Sequence, residues 1–381
     1  MNTRTLMLAA GGAFKKYRRL SGLAWLGAVV AFPALAAPTY SVTELPTLGD
    51  GAAFGMGVNN SAQVTGWAQT GFEYHAFRYS GGTTTGLGTL GGSFSEGYGI
   101  NASGQIAGYV QLLSGAAHAV RQDGGTMVDL GTLGGTYSLG YGINSSGHVT
   151  GYAYTAFDQT SRAFLHNGTG MIDLGTLGGD HSGGRAINDS GHVTGYADVN
   201  PSTSRAFLYD GTTMHDLGSL GGGQSDGYGI NASGHVTGWA RTSGGQLHAF
   251  YYDGSTMNDL GTLGGTSSFG HSINASGQIT GYSLNGTGQE RAFLYDDDTM
   301  WDLNTLISVD DPFSGLLALN RAFSISDTGY IIANGMGPNG QRAFLLTPNG
   351  GEPVPEPATL ALLGMGVLGA IYARRRVTTG G

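Results

Sequence analysis

The sequence predicts an all-β fold, a seven-bladed β-propeller of four-stranded antiparallel blades. The first observation behind this is a motif, Leu-Gly-Thr-Leu-Gly-Gly, at residues 87–92, 130–135, 174–179 and 260–265, with a Ser variant at 217–222 and degraded copies beginning at Leu45 and Leu303. An Ala-Phe pair trails each start at a similar distance, and the period is about 43 residues, so one supersecondary unit is copied around or along an axis. The second observation is that each unit reads as four short strands. The third is that the two ends of the repeat region complete one another.

Residues 97–139 show the unit in order. Gly97-Tyr98-Gly99-Ile100 is a short strand ended by Asn101-Ala102-Ser103-Gly104, in which the Asn starts the turn and the Gly supplies positive φ. Gln105 to Val110 alternates as a second strand. His118-Ala119-Val120-Arg121 is a third, and Asp123-Gly124 is a strong hairpin signal. Thr126 to Leu130 forms the fourth, and the Gly-Gly of the motif leads into the next unit. No segment of the body has helical periodicity. The first strand after the leader, Tyr40 to Leu45, matches the fourth strand of a unit, and the last unit stops after its third, at Arg342 to Leu346. With six whole units between them these make seven blades of four, the N-terminal strand pairing with the C-terminal hairpin to remove exposed edges. An open solenoid is the alternative, and it strands both partial units.

The glycines and aromatics have places in that scheme. First strands line the axis, where Gly97 and Gly99, Gly140 and Gly142, and Gly227 and Gly229 permit close approach. Trp67, Tyr109, Tyr152, Tyr196, Trp239 and Tyr282 share one register of the second strand, suited to packing between blades, with sugar stacking as the other use.

Composition narrows the partners. Charged residues are 11% and Cys is absent, so strand pairing and apolar packing hold the fold without disulfides or thiolate metal sites. Both lysines, Lys15 and Lys16, precede the body, and between Pro38 and Pro353 nine arginines stand against 25 acidic residues, a formal charge of −16. Such a surface repels phosphate backbones, so nucleic acid is not an expected partner.

The ends read as addresses. Lys15, Lys16, Arg18 and Arg19 precede an apolar run from Leu20 to Phe32 and then Ala34-Leu35-Ala36, a secretory signal peptide over residues 1–36 whose small residues Ala34 and Ala36 mark a cut after Ala36; an uncleaved anchor is the alternative. The repeat domain spans 37–348 and a linker spans 349–353. At the other end Pro355-Glu356-Pro357 precedes an uncharged stretch, residues 358–373, then Arg374, Arg375 and Arg376, with a short tail at 377–381. As a helix the stretch is a little short of a typical hydrocarbon core but suits a tail anchor with cytoplasmic arginines. The triplet, apolar helix and Arg cluster, in that order over 354–376, resemble the PEP-CTERM sorting signal of Gram-negative bacteria. That resemblance implies an exosortase-type processing partner, transient anchoring in the inner membrane, and delivery to the surface or the extracellular matrix.

The body has its own resemblance. The His-Ala-Phe triplets at 75–77 and 248–250, with the Asp-Leu-Gly-Thr-Leu-Gly-Gly signature, resemble the HAF repeats of extracellular bacterial proteins over residues 40–348. It implies an extracellular repeat protein and no assigned reaction.

Several tempting sites dissolve in register. Gly179-Asp180-His181-Ser182-Gly183-Gly184 looks like a serine-protease nucleophile motif, but Ser182 corresponds to Ser95, Ser138, Ser225 and Ser268, which suits a backbone tie in a turn. His75, His118 and His248 share a position with Arg162, Arg205, Arg291 and Arg342, and His148, His192 and His235 alternate with Gln63, Gln105 and Gln278; positions that accept Arg or Gln are not zinc ligands. Asp129, Asp173, Asp216, Asp259 and Asp302 recur once per unit, too sparsely for calcium; Asp296-Asp297-Asp298 is the better calcium candidate, and it reads first as an acidic hairpin tip. The Asn-x-Ser triplets at Asn101, Asn144, Asn231 and Asn274 are turn chemistry. No catalytic, metal or cofactor residue is therefore assigned.

Specificity is expected in the connections between second and third strands, which differ in length, charge and aromatic content while the scaffold repeats. Tyr74, Tyr154, Phe157, Asp158, Asp198, Arg241 and Glu290 are the candidate binding side chains. The expected function is that of a non-catalytic exported surface or matrix protein that binds a polysaccharide or a surface protein. A propeller glycan hydrolase or lyase is the alternative; it needs acidic or His-Tyr residues breaking register on the channel face, and no such set is recognised. A purely structural display scaffold is the third reading. Leu316-Leu317-Ala318-Leu319, in the 304–320 insertion, is expected to plug one end of the channel.

Overall fold

The computed structural model describes residues 38–49 and 51–350; the expected leader, with Ala34 and Ala36, and the sorting segment, with Pro355, Glu356, Pro357, Arg374, Arg375, Arg376 and its apolar helix, lie outside the described residues. Among the described residues the chain is all-β and propeller-like, its helical content limited to two single turns, Ala156–Asp158 and Leu303–Thr305.

One unit consists of Gly91–Ile100, Ile106–Leu112, Ala117–Asp123 and Thr126–Asp129, each antiparallel to the next. Four-stranded sheets of the same order span Gly134–Ile143 to Met171–Asp173 and Ser182–Ile187 to Met214–Asp216. Two eight-stranded sheets are pairs of such units, each joined by one parallel bridge, Tyr74 to Phe94 and Leu247 to Ser267. The remaining sheet combines Ala318–Ile325, Ile331–Gly337 and Gly340–Pro348 with the N-terminal strand Tyr40–Glu44 on its outer edge. The first strand starts earlier than the sequence suggests, at Gly91 and not Gly97, because the Gly-Gly of the motif is itself paired: Gly91, at φ 100°, opposes Leu112 before a register shift leads to Ser95.

Three repeated contacts join each unit to the next. The Phe of the trailing pair is completely buried in Phe77, Phe164, Phe207, Phe250, Phe293 and Phe344, and Phe164, Phe207, Phe250 and Phe293 each sit in a core that spans two units, with Ala119, Ala163, Ala206 and Ala249 of the unit before. The serine of the protease-like motif is a tie: Ser138 Oγ accepts from Ala119 N–H of the preceding unit at 2.8 Å and donates to Gly131 carbonyl at 2.6 Å. Ser95, Ser182, Ser225 and Ser268 repeat both bonds. The turn asparagine does more than start a turn. Asn101 Oδ1 accepts from Ser103 and Gln105 N–H, while its Nδ2 reaches the carbonyl of Asn144 in the next unit at 2.9 Å. The same step runs from Asn59 to Asn101 and from Asn144 through Asn188, Asn231 and Asn274 to Ser326.

Glycine is required where units approach. A Cβ on Gly97 would stand 2.2 Å from Thr65 Oγ1 of the preceding unit, and within a unit one on Gly108 would stand 2.0 Å from the Glu96 carbonyl of the first strand.

Antiparallel order gives the fold two faces. First-to-second and third-to-fourth connections share one, the turn face; the non-repeating second-to-third connections and the motif share the other, the loop face. The first and last units also touch: Gly55 N–H donates to Asn334 Oδ1 at 2.8 Å, Asn334 Nδ2 to Gly55 carbonyl at 2.9 Å, and Asp327 N–H to Asn60 Oδ1 at 2.8 Å. The insertion does not plug a channel, correcting the expectation for Leu316 to Leu319. Ala318–Ile325 is the first strand of the last unit and Leu316 is exposed, while Leu306 and Ser308 bond the backbone of Tyr40 and Asp311 accepts from Val42 N–H at 2.8 Å. The insertion thus lies along the N-terminal strand, satisfying an edge that would otherwise be open.

Replacing Ser138 by Ala leaves Ala119 N–H buried without a partner, so unfolding free energy is expected to drop by about 1–3 kcal/mol, read from the midpoint of urea unfolding. An unchanged midpoint would show that the tie contributes nothing to inter-unit packing.

Candidate functional site

A cavity of about 570 Å³ opens at the turn face and is lined by the first strands of every unit, from Met56 and Tyr98 round to Phe323. Its wall follows the repeat in tiers. At the mouth stand turn residues such as Asn60, Ser145, Asp189 and Asp327. One step in is an aliphatic collar, Val58, Ile100, Ile143, Ile187, Ile230, Ile273 and Ile325, one residue per unit and always just before the turn position held by Asn or, in the last unit, Ser.

Deeper still, the position three residues before the turn differs between units: Met56, Tyr98, Tyr141, Arg185, Tyr228, His271 and Phe323. These side chains pack on one another in sequence. Tyr98 meets Tyr141 at 4.9 Å between centroids, the Arg185 guanidinium lies 5.1 Å from the Tyr141 ring and 5.2 Å from Tyr228, Tyr228 meets His271 edge-on at 5.7 Å, and His271 stacks on Phe323 at 4.8 Å.

Two carboxylates stand behind this tier, at the position five before the turn. Asp226 is buried and pairs with Arg185 Nη2 at 3.3 Å. Burial raises the Asp226 carboxyl against the pull of Arg185. Burial also opposes the charge on Arg185, but Asp226 and the surrounding tyrosines outweigh it and hold the guanidinium more firmly protonated than usual. Arg185 Nε and Asp226 Oδ1 are left without partners. Glu96 accepts from Tyr98 Oη at 2.7 Å and Tyr109 Oη at 3.1 Å; burial raises its carboxyl and these two hydroxyls pull it back.

His271 Nδ1 bonds the Ala322 carbonyl at 2.9 Å, and burial pushes its pKa from the ordinary 6.5 down to about 4, so the ring is neutral near pH 7. Arg321 adds to that effect and Glu290 opposes it.

This register-breaking set on the channel face is the one that sequence analysis did not recognise. The signal was present: aligning the units on the turn position puts Arg185 and His271 in a column otherwise filled by Tyr, Phe and Met.

The other predicted residues fall into place differently. The histidines and arginines of the third strand pair with the once-per-unit acids: His118 with Asp129 at 2.9 Å, His248 with Asp259 at 2.8 Å, Arg162 with Asp173 at 3.8 Å, Arg291 with Asp302 at 3.6 Å. Those aspartates also cap the motif, accepting from Gly131, Gly175, Gly218 and Gly261 N–H. Asp297 and Asp298 occupy a hairpin tip at positive φ. The second-strand aromatics are half-buried and lean on the first strand or the channel tier: Trp67 stacks on Phe54 at 4.3 Å, Tyr282 on Phe269 at 4.7 Å, and Arg185 lies 5.3 Å from Tyr196.

The candidate loop residues sit on the loop face, but several are tied down. Tyr74 stacks on Phe94 at 4.5 Å and its hydroxyl meets Tyr109 Oη at 3.3 Å. Tyr154 packs edge-on against Tyr137 at 6.1 Å. Asp158 accepts from Thr136 N–H at 2.8 Å, which lowers its carboxyl. Asp198 accepts from His181 N–H at 3.2 Å, and Arg241 donates to Gly245 carbonyl at 3.0 Å. Glu290 is held by both Nε and Nη2 of Arg321, at 2.8 and 2.6 Å, which lowers its carboxyl. Phe157 is free, at φ 65° and almost fully exposed. Sequence analysis missed its counterparts Phe72 and Leu113, exposed tips on the two preceding units.

The C-terminal residues decide what can be said of identity. A PEP-CTERM protein-sorting motif matches residues 353–376. The motif implies export, exosortase-type processing and sorting to the cell surface or beyond. No curated protein matches the chain. Among solved structures it is similar to TolB from Acinetobacter baumannii, at 12% identity and TM-score 0.43, over 76% of this chain and 64% of that one. The chain thus spans less than two thirds of TolB. It is also similar to the β-propeller domain of the Trilobed protease from Pyrococcus furiosus (9% identity, TM-score 0.48, 77% of this chain and 93% of that one). A further likeness is to the six-bladed fungal lectin of Aleuria aurantia (14%, TM-score 0.37, 69% and 94%). At these values none of them bears on ligand or activity.

Because His271 stays neutral in the folded chain, the unfolded chain binds a proton between pH 6.5 and 4 that the folded one refuses, and stability falls as pH drops through that window. Glu96 and Asp226 act in the opposite sense. The melting temperature of His271→Phe should therefore fall less than that of the parent between pH 7 and roughly pH 4; parallel curves would place His271 in ordinary solvent.

Proposed function

We propose that the chain is a closed seven-bladed propeller of HAF-repeat type, exported, briefly held by its C-terminal segment, and shown at the surface or in the matrix as a non-catalytic adhesion or binding protein. The sheets support the closed ring: seven four-stranded units, the last completed by Tyr40–Glu44, and direct bonds between the first and last units.

One observation carries the functional reading. Both ends of the repeat body leave on the turn face, where Tyr40 pairs with Pro348 and Asn349 N–H bonds Thr39 carbonyl at 2.9 Å. A chain tethered beyond residue 350 therefore turns its non-repeating loops away from the tether. On that outward face three neighbouring units carry exposed apolar tips, Phe72, Leu113 and Phe157, and Tyr74, Tyr154, Asp158, Asp198, Arg241 and Glu290 belong to the same set of second-to-third connections around the face. A rigid frame that presents varied loops with uncovered aromatic tips suits a binding role. The ligand class is extracellular polysaccharide or a surface protein. The buried carboxylates Glu96 and Asp226 make a glycan-cleaving enzyme the second reading, although tyrosine hydroxyls and Arg185 already engage them.

The test is retention of the full chain in affinity electrophoresis through the producing organism's extracellular polysaccharide. Retention is expected, and it should be lost when Phe72, Leu113 and Phe157 are together replaced by Ser. Absent retention, or retention indifferent to those changes, would turn the reading toward a display scaffold. Glycan cleavage abolished by Glu96→Gln would establish the enzyme instead.

A further inference from the structure

We infer that the central cavity is a second binding site, entered from the turn face, for one neutral sugar residue. It does not depend on the loop face. Three consecutive units set its chemistry. Arg185 supplies a cationic donor, anchored on Asp226 and with Nε unpartnered. Tyr228 comes next, its ring 5.2 Å from the guanidinium and 5.7 Å from His271. His271 is then fixed as a tautomer: a carbonyl only accepts, so Nδ1 carries the proton toward Ala322 and Nε2 remains a lone-pair acceptor.

A donor, an aromatic face and an acceptor in succession fit a hydroxyl-bearing ring. Its hydroxyls accept from Arg185 and donate to His271 while its C–H face lies on Tyr228. A carboxylate cannot donate to His271 Nε2, and Asp189 and Asp327 at the mouth repel anions. A cation would meet Arg185. The aliphatic collar excludes water around the entering ring, and about 570 Å³ falls within the usual span of small-ligand sites. Filling an axis needs only one large side chain repeated; here Arg185 and His271 interrupt the column on either side of Tyr228.

The experiment is saturation-transfer NMR on the full chain with the methyl glycosides of glucose, galactose, mannose, rhamnose and N-acetylglucosamine, and glucuronate as the charged control. At least one neutral glycoside should bind. Binding should weaken tenfold or more in Ile143→Trp, which narrows the collar, and in His271→Phe, which keeps the ring stacked on Phe323 but deletes the acceptor. Circular dichroism and melting of both variants verify the fold. The Phe72, Leu113, Phe157 triple variant should bind the glycoside as the parent does, so failure of the loop-face reading and of this one are separable. No binding by any neutral glycoside, glucuronate binding as well as they do, binding untouched by both cavity variants, or binding lost in the triple variant would each overturn the inference.

Discussion

The structure depends on one buried amide in each of its first six units. Each turn asparagine is nearly inaccessible from Asn59 to Asn274, so every polar atom it carries must find a partner or cost the stability of the site. Its oxygen closes its own turn, and its nitrogen reaches the carbonyl at the same place in the next unit. A single unit thus leaves an amide unsatisfied, and the last in the run ends on Ser326. Turn geometry and inter-unit spacing are set by the same side chain, which ties local folding to assembly of successive units.

The serine tie and the glycines act elsewhere along the same seams between units. The serine fixes the third strand of one unit to the connection entering the next, and the glycines let Thr65 and its equivalents Thr150, Thr194 and Thr237 seat against the neighbouring first strand. With spacing enforced by turn asparagine, serine and glycine, other positions on the first strand are released from structural duty. Residues three and five before the turn use that freedom: a Tyr-Arg-Tyr-His succession with Asp226 and Glu96 behind it, in a setting of low polarity where each charge is felt strongly.

The two faces divide the work of the molecule. The turn face holds both chain ends, the constant asparagine turns and the mouth of the cavity. The loop face holds everything that varies in length, together with the exposed tips Phe72, Leu113 and Phe157. Many loop residues that look free in the sequence are spent on bracing loops or neighbouring strands, as with Glu290 on Arg321 and Asp158 on Thr136. What remains available is apolar, on three adjacent units.

The sequence by itself determined the repeat, its four-stranded content, the strand that opens the repeat body and the partial unit that ends that body, and the sorting motif, because these are written in spacing and in short contiguous patterns. It also set Ser182 in register with Ser95, Ser138, Ser225 and Ser268, a backbone tie, and put the third-strand histidines in a column shared with arginine, since register is visible along one dimension. Only the tertiary structure decided which variable positions converge. Arg185, Tyr228 and His271 are about 43 residues apart and meet because equivalent positions of first strands are brought around one cavity. Likewise the insertion after Leu303 reads as an apolar plug, but its backbone finds the open edge of Tyr40–Glu44, a partner that only the return of the chain to its own beginning supplies.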